Sequence, residues 1–236
     1  MKKSHIATLL VFFLLIPATL FMGTKLPGRS YYITGTAIVI ELMLPFFMAF
    51  EGRKPQAREL VLLAVMCAMA IVGRIAIPIP NFKAIFAIIM ITGIAFGPEA
   101  GFMVGAVAAF GSNFFSSQGP YTPWQMFSFG TGGMLAGFFF DRHRLPRKPW
   151  IMALFGFLTL VLLIGPILDS MSLFLGFVQL NKETFSVVFL PGLAVNVSQG
   201  LCTAAVMLLF GKPLLTMLDR IKRKYGMGED WEDESR

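Results

Sequence analysis

Polar and aromatic side chains recur on separate apolar segments of the chain, and their types suit hydrogen bonding to a small molecule. Asn and Gln amides donate and accept, Arg and Lys pair with anionic groups, and Trp, Tyr and Phe offer apolar faces. The candidate binding residues are Arg74, Asn81, Lys83, Asn113, Phe114, Gln118, Tyr121, Trp124, Gln125, Asn196 and Gln199. Most lie between positions 111 and 125, where two apolar segments flank them. Because lipid does not tolerate unpaired polar groups, this stretch must pack inside a helix bundle or line a cavity.

Counting along the predicted helices places these side chains at one depth. Arg74 lies 15 residues beyond Glu59, which is about 22 Å along a helix, and Asn113 lies at a similar distance from Glu99. The pair at 196 and 199 shares one helical face in the outer half of the last span. Positions 81 and 83 fall in an outer loop, and positions 124 and 125 begin a span at the outer surface. This convergence predicts a cavity just below the outer surface.

Each of these residues also has a purely structural interpretation. Arg74 can extend its charge to the outer headgroups. Asn113, Asn196 and Gln199 can form hydrogen bonds that hold helices together. Trp124 can belong to the aromatic belt at the membrane surface. The sequence alone leaves these alternatives open.

The composition indicates a polytopic helical membrane protein. The 236 residues are 56% hydrophobic with a mean hydropathy of +0.72, which is more apolar surface than a soluble domain of this size can bury. The formal net charge of +7 arises from basic residues in short loops, as the positive-inside rule produces, so we expect no nucleic-acid partner. Cys67 and Cys202 lie in apolar runs without disulfide or metal-ligand spacing, so no metal site is predicted.

Eight apolar segments are predicted, at about 5–23, 33–50, 59–79, 84–97, 99–116, 124–140, 150–169 and 186–211. The first resembles a signal peptide, but it lacks a convincing cleavage site and we expect an uncleaved helix. The segments 84–97 and 99–116 are too short to cross the hydrocarbon core of a bilayer, about 30 Å thick, as straight helices. Gly97, Pro98 and Glu99 form a tight turn between them, and small residues repeated every four positions predict close packing inside the bundle. The distribution of basic loops predicts that both termini are cytoplasmic.

No motif for catalysis occurs in the sequence. A phosphate-binding loop, a serine elbow, a zinc motif and a carboxylate dyad are all missing, so the chain cannot hydrolyse ATP alone and we expect no enzyme. Glu41 is an ionisable residue near the middle of a predicted span, which makes it a candidate functional residue by default. A proton-coupled secondary transporter would use it.

The order and spacing of short motifs in this chain resemble those of one known family. The stretches that carry the resemblance are Arg74, Pro80-Asn-Phe-Lys83, Gly97-Pro-Glu-Ala-Gly101, Ser112-Asn113, Gln118-Gly-Pro120, Thr122-Pro-Trp-Gln125 and Gly137. They are similar to the substrate-binding S-components of energy-coupling factor (ECF) vitamin transporters, and most of all to the cobalamin type. The similarity spans about 59–213. It implies an all-α fold with a six-helix core at 59–218. About two N-terminal spans at 1–58 are an addition that departs from the family's pattern, and residues 219–236 are expected to form a charged cytoplasmic tail.

The resemblance also implies a function and partners. Such a subunit lies in the bacterial cell membrane, binds a vitamin at its outer face and docks on a module of one transmembrane scaffold and two ATPases. Ala64 and Ala68 stand where the family has the Ala-x-x-x-Ala motif that meets the scaffold. The chain would carry no cofactor of its own, and the partner ATPases would use ATP. The expected ligand is cobalamin, and the alternatives are a cobalamin precursor, a queuosine-type base or riboflavin.

Overall fold

The structure is a computed structural model, and it describes residues 10–23, 30–53, 55–76, 81–140, 144–176 and 181–227. Within these ranges all regular structure is helical, in eight continuous segments. The segments are α1 (Val11–Leu15 and Ile16–Gly23), α2 (Ser30–Gly52), α3 (Ala57–Ile75), α4 (Ile85–Phe96), α5 (Pro98–Ser116), α6 (Thr122–Phe140), α7 (Pro149–Thr159, Leu160–Ile164 and Gly165–Gly176) and α8 (Lys182–Val206, Met207–Gly211 and Lys212–Lys224). The first part of α1, the middle part of α7 and that of α8 are π-helical.

The observed helices confirm the predicted polytopic helical membrane protein. By length and composition, three helical stretches in the described residues can cross a membrane: Ile33–Gly52, Pro149–Phe174 and Lys182–Lys224. The predicted short segment at 84–97 is indeed short, since α4 has 12 residues and rises about 18 Å. Its neighbour α5 has 19 residues, close to the length that a span needs. The last helix continues to Lys224, beyond the boundary expected at 218.

The short helix α4 forms the centre of the bundle. All of its residues are buried, and α3, α5, α6 and α8 surround it. A helix that is apolar on every side has no polar face for solvent, so it suits a protein core or lipid, and here the neighbouring helices enclose it. Its single hydroxyl, that of Thr92, donates to the carbonyl oxygen of Ile88 at 2.8 Å, so no polar group on a side chain of α4 lacks a partner.

Glycines bring α4, α5 and α6 into backbone contact. A Cβ atom added to Gly93 would lie 2.0 Å from the carbonyl oxygen of Gly133, and one added to Gly101 would lie 2.5 Å from the same oxygen. Any larger residue at these positions would force the helices apart. The structure thus confirms that the repeated small residues of this region pack within the bundle.

The carboxyl end of α4 is capped by basic side chains from three other parts of the chain. Arg147 donates to the carbonyl oxygen of Ile94 (3.1 Å), Lys222 to that of Ala95 (2.6 Å) and Arg53 to that of Phe96 (2.9 Å). The last carbonyls of a helix have no partner within the helix, and cations there also offset the helix dipole. The end of the bundle at which these three side chains lie is called the basic end below. These three cations therefore stabilise the carboxyl end of the central helix.

The two N-terminal helices belong to the same bundle. Helix α2 contacts α5, α6 and α7, and Val39 and Met43 of α2 are buried. The ring of Phe46 stacks on Phe102 of α5 at a centroid distance of 4.3 Å. Helix α1 packs on α2, where the hydroxyl of Thr19 donates to the Glu41 carboxylate. The described helices of the N-terminal addition predicted at 1–58 therefore belong to the same bundle, and α2 contacts the core directly.

Candidate binding site

A hydrogen-bond network joins α3, α5 and α6 at the end of the bundle opposite the basic end. Nη1 of Arg74 on α3 donates to Oγ of Ser112 at 2.6 Å and to Oδ1 of Asn113 at 2.9 Å. The Asn113 amide nitrogen then donates to Thr122 Oγ1 at 3.2 Å and to Gln125 Oε1 at 2.8 Å. Asn113 is 1% exposed, so its amide needs partners within the protein. The bonds to Arg74, Thr122 and Gln125 supply them, and the bond from the charged guanidinium is the strongest type among them. Counting along the helices correctly placed Arg74 and Asn113 at one level.

The guanidinium group of Arg74 is engaged inside the bundle rather than extended toward a surface. Besides its two hydrogen bonds, it lies over the ring of Phe129 at 5.4 Å from the ring centroid. A cation over an aromatic face is attracted by the ring electrons. Phe129 is itself buried and packs edge-on against Phe86 of α4 at 4.6 Å. The charge is thus fixed beside the network.

The turn between α5 and α6 is held by its own polar groups. The hydroxyl of Thr122 donates to Gln118 Oε1 at 3.0 Å and accepts from the backbone N–H of Gly119 at 3.2 Å. The hydroxyl of Tyr121 donates to the carbonyl oxygen of Ser117 at 2.8 Å, where φ is +88°. Gln118 and Tyr121 therefore build the loop, and the predicted contact of either with a ligand stays a prediction. Sequence analysis missed Thr122, although its place at the start of a helix is typical of a capping residue.

Trp124 on α6 is buried between α2 and α7. It is 8% exposed and stacks on Phe174 of α7 with ring centroids 5.5 Å apart and an interplanar angle of 26°. A Cβ added to Gly35 of α2 would lie 3.4 Å from its Cζ2 atom. Its indole nitrogen is buried without a hydrogen-bond partner. An indole N–H can only donate, so this position offers one unused donor beside two aromatic faces.

A second polar pair joins α7 and α8. Nδ2 of Asn196 donates to Oδ2 of Asp169 at 2.8 Å. Two glycines make room for the pair, because a Cβ on Gly165 would lie 2.2 Å from the Asn196 side chain and one on Gly192 would lie 2.5 Å from the Asp169 carboxylate. The sequence analysis missed Asp169, although a carboxylate inside an apolar run is by itself a signal of function. Asp169 precedes Phe174, the ring that stacks on Trp124, by five residues, which is about 7.5 Å along α7.

The remaining predicted site residues lie in different surroundings. Gln199 is half-buried on α8, one turn beyond Asn196. Lys83 is half-buried, and its backbone amide is close enough to the Cys202 sulfur to hydrogen-bond to it. Asn81 is exposed with φ of +61°, and Phe114 is 68% exposed on the outside of the bundle. The structure therefore does not bring Phe114 or Asn81 to the network, and their roles stay predictions.

The alanines expected to meet a partner lie on an open apolar face. Ala64 and Ala68 are exposed on α3. Val61 and Val65, on the same side of the helix, are 63% and 50% exposed. Alanine at i and i+4 lets a second helix approach closely. This stripe can accept a helix from another protein.

The site is suited to recognition. It combines amide and hydroxyl groups, a half-buried cation, a half-buried carboxylate and stacked aromatic rings on neighbouring helices of one bundle. These groups fix the orientation of a small polar, partly aromatic molecule.

Comparison with known proteins gives one match. The model of a family described as ECF-type riboflavin transporter, S component, matches residues 54–216. The matched range begins before α3 and ends within α8, so it contains the whole network and leaves α1 and α2 outside. No curated protein and no solved structure matches the chain.

Proposed function

The chain belongs to the family of ECF-type riboflavin transporter S components, and from this premise we propose that it binds riboflavin between α3, α5, α6 and α7. Members of this family are transport subunits rather than enzymes, and they work with a scaffold and an ATPase module. The binding step is thus the activity of this chain itself. Hydrolysis of ATP belongs to its partners.

The observation that carries the riboflavin assignment is the environment of Trp124. A flavin is a flat aromatic ring system with carbonyl oxygens along one edge. The stacked rings of Trp124 and Phe174 offer aromatic faces, and the unpartnered indole N–H requires an acceptor such as a carbonyl oxygen. Gln125 follows Trp124 directly in the sequence, and its oxygen accepts from Asn113, so its amide nitrogen suits a hydroxyl group of a ribityl chain.

The charges of the site favour an uncharged vitamin over one that carries phosphate. Cobalamin, the ligand that the sequence favoured, contains an anionic phosphodiester. The carboxylate of Asp169 on α7 would repel an anion bound beside it. No observed feature calls for a corrinoid specifically.

Transport by this chain would proceed through its docking on the scaffold. We infer that the scaffold contacts the open stripe of α3 around Ala64 and Ala68, and that one scaffold and two ATPases complete the importer. Small residues at this spacing on an exposed helix support the assignment. In the same orientation the basic end faces the cytoplasm with both termini, and the binding site opens to the outside. The excess of Arg and Lys at the basic end supports that orientation.

Titration of the purified full-length protein in detergent tests the ligand. We expect riboflavin to bind saturably with one molecule per chain, read as quenching of flavin fluorescence. Riboflavin 5′-phosphate differs only by its phosphate and should bind at least about tenfold more weakly because of Asp169. Cobalamin should not compete.

Two outcomes would contradict this assignment. Binding of cobalamin with no binding of riboflavin would restore the cobalamin-type assignment. Equal affinity for riboflavin and its phosphate would show that the carboxylate does not face the ligand.

A further inference from the structure

Helix α2 lies outside the range that the family model matches, yet its backbone lies against the centre of the binding site. The Cβ position of Gly35 is 3.4 Å from Cζ2 of Trp124. Cζ2 and Nε1 of an indole are bonded to the same ring carbon, so the N–H edge of Trp124 lies on the side of the ring that meets α2. The buried residues Val39 and Met43 continue this contact along the helix.

Two buried polar atoms on the helices that form this contact have no hydrogen-bond partner. One is Nε1 of Trp124, and the other is Oγ1 of Thr36, the residue that follows Gly35. In helices a threonine hydroxyl usually donates to the carbonyl four residues earlier, as Thr92, Thr131 and Thr203 do here. Thr36 lacks even this local bond.

Two buried polar atoms without hydrogen-bond partners raise the free energy of the folded protein. More than about nine in ten buried polar groups in proteins are paired, and an unpaired one loses its hydration without compensation. Within a membrane the cost is not relieved by bulk water. A donor and a hydroxyl left unpaired on adjoining helices therefore indicate an occupant that supplies the missing partners.

We propose that α2 is a wall of the substrate site, and that Thr36 and Trp124 together bind an amide or imide edge of the ligand. The indole N–H donates to a carbonyl oxygen, and the hydroxyl of Thr36 pairs with the adjacent carbonyl or N–H. The dione edge of a flavin presents these groups side by side. A side-chain amide of a corrinoid presents the same chemistry. The inference rests on the proposed function and extends the site beyond the matched family core.

The test compares dissociation constants for riboflavin among full-length variants in detergent. Thr36→Val removes the hydroxyl and keeps the shape of the side chain, and Thr36→Ser retains the hydroxyl. Gly35→Leu places a bulky side chain against the indole of Trp124. Trp124→Phe removes the N–H and tests the site itself. Matched controls are Thr216→Val, whose exposed hydroxyl bonds locally to Lys212, and Gly52→Leu, where the added Cβ meets nothing within 4 Å.

We expect Thr36→Val to weaken binding about fivefold and Trp124→Phe about tenfold, as the loss of one neutral hydrogen bond predicts. Gly35→Leu should weaken it further, and Thr36→Ser and both controls should stay within about twofold of the parent. Thermal unfolding of each variant separates loss of binding from loss of folding. A fall in affinity of Thr36→Val at an unchanged unfolding midpoint supports the proposal.

Parent-like affinity of Thr36→Val and Gly35→Leu, with weakened binding by Trp124→Phe, would overturn the role of α2 and leave the proposed function standing. Absence of binding of both riboflavin and cobalamin by the parent protein would instead overturn the proposed function, and this inference with it. Binding of cobalamin by the parent, weakened by Thr36→Val, would keep the α2 wall and replace the ligand.

Discussion

The polar residues of the proposed binding site are held by hydrogen bonds to one another, and single positions in the sequence do not reveal these pairings. Arg74, Asn113 and Gln125 were predicted from their depth, and the structure places them in one network. Ser112 and Thr122 complete that network, but small hydroxyl residues are common in helices and carry no distinguishing signal in one sequence. Phe114 was predicted from its type alone, and its position on the helix turns it outward. Residue type predicted which side chains can form hydrogen bonds or stack. The side of the helix on which each residue lies decides which of them join the network.

Removing the Asn113 amide tests the importance of the network. Asn113→Ala leaves Arg74, Thr122 and Gln125 without their shared partner, and a buried polar group without a partner costs about 1–3 kcal/mol. We expect a lower thermal midpoint and about tenfold or greater loss of riboflavin affinity. The control is Gln56→Ala, since Gln56 is exposed and its side chain makes no capping bond. An Asn113→Ala protein with parent-like affinity and midpoint would show that the network neither shapes nor contacts the ligand site.

At the level of the helices, composition and periodicity predicted most of the fold. Eight apolar segments were expected and eight helical segments are described, because membrane helices must be long, apolar and internally hydrogen-bonded. The close packing around Gly93 and Gly133 also followed from spacing. The sequence could not show that α4 is entirely buried and ends under three cations. That arrangement depends on contacts between residues far apart in the chain, such as Lys222 and Ala95.

The cap on α4 predicts a difference between two cations on one helix. Lys222 donates to the carbonyl of Ala95, and Arg220 is exposed two residues earlier on α8. Lys222→Met keeps the apolar stem and leaves the carbonyl unpaired, so we expect a loss of about 1–3 kcal/mol of stability. Arg220→Met should change stability by no more than about 0.5 kcal/mol. Thermal unfolding followed by tryptophan fluorescence measures both, and equal midpoints for the two variants would argue against the cap.

For the whole molecule, the proposed binding site and the proposed docking surface lie on different parts of the bundle. The binding network lies at one end of the bundle, and the basic cap lies at the other. The stripe at Ala64 and Ala68 runs along the outside of α3, whose opposite face buries Leu63, Met66 and Ala70 against the core. A change on this stripe can therefore affect the partner interaction without disturbing the ligand site.

This separation predicts the behaviour of a double variant. Ala64→Leu combined with Ala68→Leu places two branched side chains where a partner helix must approach, so we expect uptake of riboflavin by cells to fall about tenfold or more. Affinity of the purified protein for riboflavin should remain within about twofold of the parent, because neither alanine touches the binding network. The matched control is Ala18→Leu with Ala194→Leu, at exposed positions on α1 and α8. Co-purification with the scaffold and ATPase subunits should fail for the first pair and persist for the second. Normal uptake by the Ala64 and Ala68 variant would exclude this stripe as the docking surface and move the search for it to the other exposed helices.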